Sequence, residues 1–408
     1  MPGIVRQYAA ADPAFAPPPF ARLARKVVLL AASDAFVLAY CRSTVSVLRE
    51  LARDVVVVTR STGRMDEVEA LGVRVVGFAW PALSRNLAQE SLAAWRLARI
   101  LEDEDPDAVH LFGFRPVVLG AMAAKLVSAR HFVMHVPDLA LLDAESGAPA
   151  RLYRRVALRL VASLARRPMS FLLVENAADL TTLNGWGVVP GPRFAVLGGG
   201  GIDPDSFPVL PPAHNDIPVA AYVGEFGRHG GLDVLMRAFD AVWSKGVNLR
   251  LELHGEPPRE GDGVPATELE SWRLHPGVGI RAPPADVREL WRRADFLVLP
   301  GVRRQGLPRA LLEAAACGRP AIVSGTSNGS AFVRDDVEGC VVAGADAAAA
   351  LAGGLERLAR DGEARVRMGK AARLRVLQGF TDAHVGETIR NAYRSLLGRA
   401  AAREAAGG

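Results

Sequence analysis

Short apolar runs that alternate with helix-length segments are the feature that most restricts how this chain can fold. In the first half, candidate strands occupy residues 26–32, 54–59, 73–78, 108–112, 131–136 and 170–175. Their Val and Leu residues follow one another instead of alternating with polar residues, which is typical of strands buried on both faces of a parallel sheet. Helix-length segments, such as 87–101 and 116–128, separate them. The pattern predicts a doubly wound α/β domain.

A proline-rich break precedes a second domain of the same kind. Residues 207–219, FPVLPPAHNDIPV, hold four prolines and show no periodicity, so we place a linker at 207–218. Strand-like runs then return as VAAYVG, LRLELHG, GIRA, DFLVLP and PAIVSG, and helical segments at 345–360 and 384–397 complete the second domain. The predicted parts are a flexible start (1–25), a first domain (26–206), the linker, a second domain (219–398) and a flexible tail (399–408). The last helix is expected to cross back to the first domain.

Composition restricts the class of protein without choosing a ligand. The 408 residues carry a net charge of +5, which suits a polyanionic ligand, a nucleic acid or an anionic lipid surface. A nucleic-acid binder is disfavoured because the basic residues are not interleaved with aromatic ones. The three widely spaced cysteines form no disulfide or metal pattern, which favours a reducing, cytosolic setting. No apolar run reaches the roughly 18–20 residues of a membrane span, and residues 1–21 lack the apolar core of a signal peptide.

Two doubly wound domains that face each other bring the carboxyl ends of both sheets to one cleft, where ligands bind in such folds. The segment 301–320, GVRRQGLPRALLEAAACGRP, reads as a strand end, a loop and a helix that carries Glu313. Backbone amides at helix starts favour anions, so the loops at 305–308 and 326–330 can cradle phosphates. A carboxylate at Glu313 can accept hydrogen bonds from the vicinal diol of a ribose. The alternative is an ordinary solvated glutamate.

Several ordered motifs resemble those of family-four glycosyltransferases, most closely the subgroup that builds bacterial surface polysaccharides. GLPRALLEAAACGRPAI, DDVEGCVV and VRMGKAARLRV look like the donor-binding half of that family. YVGEFGRHGGLDVLMRAF and VLGGGGIDPDSF resemble its first strand of the second domain and its inter-domain glycine loop. EDPDAVHLFGFRPVVLGAMAA resembles the matching part of the first domain. Similar segments extend from residue 27 to residue 397.

The resemblance implies a GT-B fold, in which two doubly wound Rossmann-like domains face each other across a cleft. It implies a cytoplasmic hexosyltransferase that retains the anomeric configuration and needs neither metal nor cofactor, because the nucleotide sugar is a co-substrate. The first domain would take a polysaccharide or polyprenyl-linked saccharide acceptor, and the second the nucleotide sugar. The departing diphosphate carries about two negative charges, so fixed cations and helix amides must hold it.

The resemblance assigns roles to residues at positions that match the motifs of the family. The resemblance assigns Glu313 to the nucleotide ribose, and it assigns Gln305 to the donor sugar, where the family has a second glutamate eight positions before the first. The other donor-binding candidates are Arg228, Arg303, Arg304, Gly306, Leu307, Pro308, Gly224, Asn328 and Gly200. His135 and Asp138 end a strand at the cleft face, where the histidine can contact the donor sugar or assist the acceptor. The alternative for His135 is a strand-end histidine satisfied by the backbone.

Besides Gln305, four positions depart from the family pattern. Glu225 and Gly230 stand where the family presents an arginine and a lysine to the diphosphate, Ala331 replaces a frequent glutamate, and Cys41 replaces a frequent histidine. An acid beside a dianion reverses the sign of the interaction. Two hypotheses therefore stay open: an active transferase with a reorganised site, and a catalytically impaired homologue that acts as a binding or scaffolding partner.

An arginine-rich segment, residues 150–168, bears on partners. It contains six arginines and no acidic residue, with Arg151, Arg155, Arg159 and Arg166 near helical spacing. An apolar stripe is predicted at Leu152, Val156, Leu160 and Leu164. The first interpretation is an amphipathic helix packed on the sheet. The second is an interfacial helix (Arg151 to Arg167) that contacts anionic lipid at the inner face of the membrane.

Overall fold

The structure, a computed structural model, describes residues 22–80, 87–128, 131–137, 139, 148–189, 191, 193–213, 215–258, 263–284, 286–301 and 306–406. Within them, thirteen strands form two separate parallel sheets. The predicted fold class, two doubly wound Rossmann-like domains, is confirmed.

The first sheet has seven strands in the order β3-β2-β1-β4-β5-β6-β7. They are β1 (Ala24–Ala31), β2 (Ala52–Thr59), β3 (Arg74–Gly77), β4 (Ala108–Phe112), β5 (His131–Val136), β6 (Ser170–Val174) and β7 (Phe194–Val196). Both faces are buried, because Val28 and Leu30 pack into one hydrophobic cluster and Val27 and Leu29 into another. The strand order reverses between β1 and β4, which is the point where ligands bind in doubly wound sheets.

Helices cover both faces of this sheet. They are α1 (Asp34–Tyr40), α2 (Arg42–Leu51), α3 (Met65–Glu69), α4 (Leu87–Glu104), α5 (Phe114–Ala123), α6 (Ala148–Ala165) and α7 (Ala177–Gly185). Helices α4, α5 and α6 form one layer, because α4 packs on α5 and α5 packs on α6.

The second sheet has six strands in the order β10-β9-β8-β11-β12-β13. They are β8 (Val219–Val223), β9 (Arg250–His254), β10 (Val278–Arg281), β11 (Phe296–Leu299), β12 (Ala321–Ser324) and β13 (Gly339–Val342). Its helices are α8 (Leu232–Ser244), α9 (Ala266–Arg273), α10 (Val287–Arg293), α11 (Arg309–Ala316), α12 (Ala347–Arg360) and α13 (Gly362–Leu377). Two short 3₁₀ turns, Arg228–Gly230 and Asn328–Ala331, follow strand ends.

The last helix, α14 (Asp382–Ala406), packs on the first domain although it follows the second in the chain. Val385, Ile389, Ala392 and Tyr393 are buried in the cluster that also holds Leu48 of α2. Helix α14 continues past the predicted end at 397 into the segment predicted as a flexible tail. Strand β1 begins at Ala24, inside the segment predicted as a flexible start, of which residues 1–21 lie outside the described residues.

Helix α6 packs on the domain as the first interpretation required, but the predicted apolar stripe packs on the core only toward its C-terminal end, at Leu160 and Leu164. Ala157, Val161 and Leu164 face the core, whereas Leu152 is 55% exposed. Four residues span more than one turn of an α-helix, so a series spaced by four rotates by about 40° per step. Over three steps the series leaves the buried face, and its first member, Leu152, lies on the outer side.

Candidate active site

The carboxyl edges of the two sheets meet where the end of β6 contacts the loop before α11. Glu175 directly follows β6, and its side chain is buried at 6% exposure. The backbone N–H of Leu307, in the second domain, donates a hydrogen bond to Oε2 of Glu175 at 2.9 Å. The N–H groups of Gly198 and Gly199 donate to the carbonyl oxygen of Glu175 at 2.9 and 3.2 Å. One residue of the first domain thus holds both the second domain's loop and the glycine run.

Close approach of the domains at this junction requires glycine. A Cβ added at Gly306 would collide with the Glu175 carboxylate and with the carbonyl oxygen of Pro137. A Cβ added at Gly199, whose φ is +95°, would lie 2.9 Å from Cδ2 of Leu307. The structure therefore brings the predicted residues Gly306 and Leu307 to the cleft, and Gly199 of the glycine run forms a tight turn beneath them.

Glu313 lies in the second turn of α11, and it is buried at 7% exposure. It is therefore not the solvated residue of the alternative interpretation. The Nε of Arg309 donates to its Oε1 at 2.9 Å. Burial raises the pKa of Glu313, and the charge of Arg309 partly offsets that rise. A carboxylate accepts up to about four hydrogen bonds, so pairing with Arg309 leaves capacity for two hydroxyls of a diol.

Arg309 was missed by the sequence analysis. It is the first residue of α11, where it stands one helical turn before Glu313, and its side chain is 53% exposed. The i,i+4 spacing of Arg309 and Glu313 was the available signal. Pro308 directly precedes the helix as its N-cap, and its predicted role in donor binding stays a prediction.

The loop after β12 also reaches the junction. Asn328 is buried at 6% exposure in the turn Asn328–Ala331, and this turn contacts α7 of the first domain. Side-chain hydrogen bonds within the loop, such as Ser330 Oγ to the carbonyl of Ser327 at 2.7 Å, hold its shape. Gly200 is exposed, and a Cβ added there would meet no other atom within 4 Å.

The loop after β8 has no room for a lysine side chain at position 230. The hydroxyl of Tyr222 donates to the carbonyl of Glu225 at 2.9 Å, and it would lie 2.7 Å from a Cβ added at Gly230. Gly224 faces the same hydroxyl. Arg228 pairs with Glu268 of α9 at 3.6 Å on an exposed surface. The role of Arg228 as a diphosphate ligand therefore stays a prediction.

The structure corrects the placement of His135. Its ring is 1% exposed, and its centroid lies 3.9 Å from that of the Phe112 ring, on the side of β5 that faces α14, so it does not project from the strand end into the cleft. Nδ1 lies 3.5 Å from Nε2 of His110, and Nδ1 of His110 lies 3.2 Å from the hydroxyl of Tyr393. The neighbour of the imidazole is thus another histidine and not the backbone. Burial lowers the pKa of His135 well below its usual range and that of His110 to about 3.

Four predicted site residues, Asp138, Arg303, Arg304 and Gln305, lie outside the described residues. Among the described residues, no three or more His, Cys, Asp or Glu side chains are grouped so that they could hold a metal ion. None of the helices in the described part of the chain is long and apolar enough to span a membrane. Cys41, Cys317 and Cys340 are buried free thiols.

Two Rossmann-like domains whose carboxyl edges meet at a loop, a helix start and a buried glutamate define the GT-B class of transferases. Residues 37–199 match the family model described as "Glycosyl transferase 4-like domain", and residues 217–361 match the one described as "Glycosyl transferases group 1". The chain belongs to the family-four type of glycosyltransferases that these two models describe.

Individual relatives agree with this assignment. The chain is 25% identical to the capsular polysaccharide biosynthesis glycosyltransferase CapM of Staphylococcus aureus over 183 residues, 45% of this chain and 47% of CapM. It is 29% identical to the D-inositol 3-phosphate glycosyltransferase of Actinosynnema mirum over 246 residues, 54% of this chain and 55% of that protein. The chain thus spans about half the length of these curated relatives.

Solved structures share the fold at lower identity. HepE of Anabaena, in complex with UDP-glucose, superposes with a TM-score of 0.72 at 16% identity over 91% of this chain and 100% of HepE. The sucrose-phosphate synthase of Thermosynechococcus elongatus gives 0.73 at 18% identity over 92% of this chain and 100% of that one.

Proposed function

We propose that this protein transfers a sugar from a nucleotide-sugar donor to a polysaccharide or lipid-linked oligosaccharide acceptor, with retention of configuration and without a metal. The observation that carries the proposal is the buried Glu313, one turn into the helix that begins at the domain junction. Family membership, the printed role of CapM in capsular polysaccharide biosynthesis and the UDP-glucose in HepE support it.

The proposed roles follow from the geometry. Glu313 accepts hydrogen bonds from the ribose, and the backbone amides of the loops before α11 and after β12 favour the diphosphate. As the glycosidic bond lengthens, negative charge grows on the leaving phosphate and must meet a fixed cation. Arg309, half exposed at the start of α11, is a described cation at this place, and Arg303 and Arg304 precede it in the chain.

One observation favours the second candidate function, a catalytically impaired homologue that acts as a binding or scaffolding partner. Arg228 pairs with Glu268, and the Tyr222 hydroxyl fills the space next to Gly230, so neither position offers the diphosphate an unengaged cation in this arrangement. Loss of one such donor can lower the rate by about 10²–10³ if no other group replaces it. Turnover with a nucleotide sugar separates the two candidates.

Ligand-dependent melting tests the proposal. We expect one of the uridine, guanosine or adenosine diphosphates to raise the Tm, since a ligand at about 100 times its Kd stabilises the folded state by about 2.7 kcal/mol. The variant Glu313→Gln should lose most of that rise, because an amide has one neutral acceptor oxygen where the two ribose hydroxyls would meet two oxygens of a charged carboxylate.

Glu338→Gln is the matched control for this experiment. Glu338 is also buried, and it also pairs with an arginine four residues earlier, Arg334, but it lies before β13 at the opposite end of the strand from the junction. Its variant should keep the rise caused by the nucleotide, whatever its own Tm. An unchanged Tm across all three nucleotides with wild-type protein would contradict both the transferase and the ribose role of Glu313.

We further propose that the first domain contacts anionic membrane through the layer formed by α4, α5 and α6. Arg151, Arg155 and Arg159 are exposed along α6, next to the exposed Leu152. On α4 of the same layer, Leu92 and Trp95 are 49% and 55% exposed. Exposed basic and apolar side chains on one layer of helices suit the interface of an anionic bilayer, which would bring the enzyme to a lipid-linked acceptor at the cytoplasmic face.

A further inference from the structure

The indole N–H of Trp291 is a buried donor, and among the described residues it has no acceptor within hydrogen-bond distance. Trp291 lies on α10, and its side chain is fully buried. A buried indole N–H usually has a partner, because a donor that has lost its hydration is costly when no hydrogen bond replaces it. The backbone at Trp291 is fixed, since Nε of Arg319 donates to its carbonyl oxygen at 2.9 Å. Such a donor is satisfied when a nearby acceptor shifts toward it.

The carboxylate of Glu313 on α11 is the acceptor that this donor faces. Trp291 belongs to the same hydrophobic cluster as Ala310 and Cys317. These two residues lie three positions before and four positions after Glu313, and therefore on its side of the helix. Burial raises the pKa of Glu313, and the charge of Arg309 and the indole N–H of Trp291 lower it. Trp291 thus approaches Glu313 from the core, whereas Arg309 approaches it from a half-exposed position.

Binding of the proposed donor substrate changes what this carboxylate needs. Glu313 is buried, and Nε of Arg309 donates to its Oε1 at 2.9 Å. In the proposed function Arg309 also meets the diphosphate, so its charge is shared between two anions and holds Glu313 less firmly. A buried carboxylate that loses part of its compensation is costly unless another donor contributes. Trp291 can supply that donor from within the same domain.

We propose that Trp291 is a positioning residue for ribose binding: with the nucleotide bound, its indole N–H donates to Glu313 and sets the direction in which the carboxylate meets the two ribose hydroxyls. The inference rests on the proposed function and adds a residue that does not touch the donor substrate. Arg309, Trp291 and two hydroxyls together provide the roughly four hydrogen bonds that a carboxylate can accept. Helix α10 is thereby linked to nucleotide recognition.

Nuclear magnetic resonance of the indole N–H groups tests the inference in wild-type protein. The chain has six tryptophans, so nitrogen-15 labelling of tryptophan gives six indole signals. We expect the Trp291 signal to move downfield when the nucleoside diphosphate that raises the Tm is added, because a new hydrogen bond deshields the proton. The variant Trp291→Phe assigns this signal by its loss. If that variant does not fold, phenylalanine variants of the other tryptophans assign the signal by elimination.

Nucleotide binding by Trp291→Phe is the second test, because phenylalanine removes the donor and keeps an aromatic ring in the core. We expect the Kd of the nucleoside diphosphate to rise about tenfold, as for loss of a hydrogen bond to a charged group. With the 2′,3′-dideoxy nucleotide, which has no vicinal diol, Trp291→Phe should change the Kd less than about twofold. Trp272→Phe, at a partly buried tryptophan of α9, is the matched control and should bind both nucleotides like wild-type protein.

The pH dependence of binding distinguishes positioning from packing. Ribose binding needs an ionised Glu313, so affinity falls as the pH falls through the pKa of this carboxyl group. Trp291→Phe removes a group that lowers this pKa, so the fall in affinity should begin at a higher pH than in wild-type protein. A variant that binds more weakly at every pH, with the fall at the same pH, would show that the ring only fills the core.

The outcomes separate this inference from the proposed function. If wild-type protein binds nucleotide but the Trp291 signal does not move, only the role of Trp291 is overturned. The same holds if Trp291→Phe binds as tightly as wild-type protein, or if it weakens the dideoxy nucleotide equally. If wild-type protein binds none of the three nucleoside diphosphates, the proposed function is wrong and the role of Trp291 is wrong with it.

Discussion

The hydroxyl of Tyr222 occupies the space into which a side chain at position 230 would extend. It donates to the carbonyl of Glu225, so the hydroxyl also fixes the start of the loop after β8. Burial raises the pKa of Tyr222 far above its usual range, so the group stays neutral and keeps donating. A lysine at position 230 is therefore disfavoured by the packing of Tyr222, a residue of β8. Replacing Gly230 alone would not create room for the longer side chain.

A lysine at position 230 should therefore destabilise the protein. We expect Gly230→Lys to lower the free energy of unfolding by about 1–3 kcal/mol, the usual effect of overpacking a filled site. Combining it with Tyr222→Phe removes the clashing hydroxyl and should recover part of the loss. Denaturant titration measures both, with Gly353→Lys, at a glycine that has open space around it, as the control. Equal stability of Gly230→Lys and wild-type protein would show that the loop adapts freely.

For individual residues, the sequence predicts site residues that lie close together in the chain, and it misses contacts between residues that lie far apart in the chain. Glu313 and Leu307 share one loop and helix, so one motif contains both. Glu175 is separated from Leu307 by 132 positions, and nothing local in SFLLVE indicates which loop its carboxylate will meet. His135 was assigned to the cleft because it lies near a strand end, but alternate residues of a strand face opposite sides, and its side is the one covered by α14.

Among the secondary-structure elements, those with continuous apolar runs were predictable. Strands β4 and β5 begin and end at the predicted residues, and α4 extends only three residues past its predicted end, to Glu104. Strands β7 and β13 have three and four residues, too few to show a period, so they were not predicted as strands. The buried face of α6 was misjudged because a spacing of four residues drifts around a helix, whereas packing selects positions 157, 161, 164 and 165.

Helix α14 closes one face of the first sheet over two histidines that are neutral when folded. The pKa of His110 is lowered to about 3 by burial, and an unfolded histidine has a pKa of about 6.5. Between these values the unfolded state binds more protons, so the free energy of unfolding falls as the pH falls, by up to about 1.4 kcal/mol per pH unit for each such histidine.

Denaturant titrations at neutral and acidic pH check this prediction. His110→Gln should reduce the loss of stability between pH 7 and pH 5 relative to wild-type protein, because a glutamine has no proton to gain. Its stability at pH 7 should be lower, since the contact with Tyr393 is altered. His275→Gln, in the second domain, is the control and should leave the acid dependence in place. If His110→Gln lost as much stability between pH 7 and pH 5 as wild-type protein, protonation of His110 on unfolding would not be the cause of the acid dependence.

At the scale of the whole molecule, strand and helix patterns predict two α/β domains but not how the two domains meet. The junction depends on single contacts from distant parts of the chain, among them Glu175 to Leu307 and Ser43 Oγ to Asp382 Oδ1 at 3.0 Å. Such contacts are set by the packing of complete domains, so no local pattern reports them. Helix α14 adds a second connection, because it leaves the second domain and is buried on the first.

The proposed membrane contact is also a property of the whole molecule, since it depends on a layer of three helices and on the net charge of +5. We expect the protein to sediment with vesicles that contain phosphatidylglycerol and not with vesicles of phosphatidylcholine alone. Binding should weaken as salt rises, because the screening length falls to about 10 Å at 0.1 M. The double variant Trp95→Ser with Leu152→Ser should bind less, because two exposed apolar side chains no longer enter the interface.

Leu274→Ser, which changes a residue 85% exposed on the second domain, is the matched control and should bind like wild-type protein. If that control loses as much binding as the double variant, or if neutral vesicles bind equally well, the layer of α4, α5 and α6 is not the membrane surface.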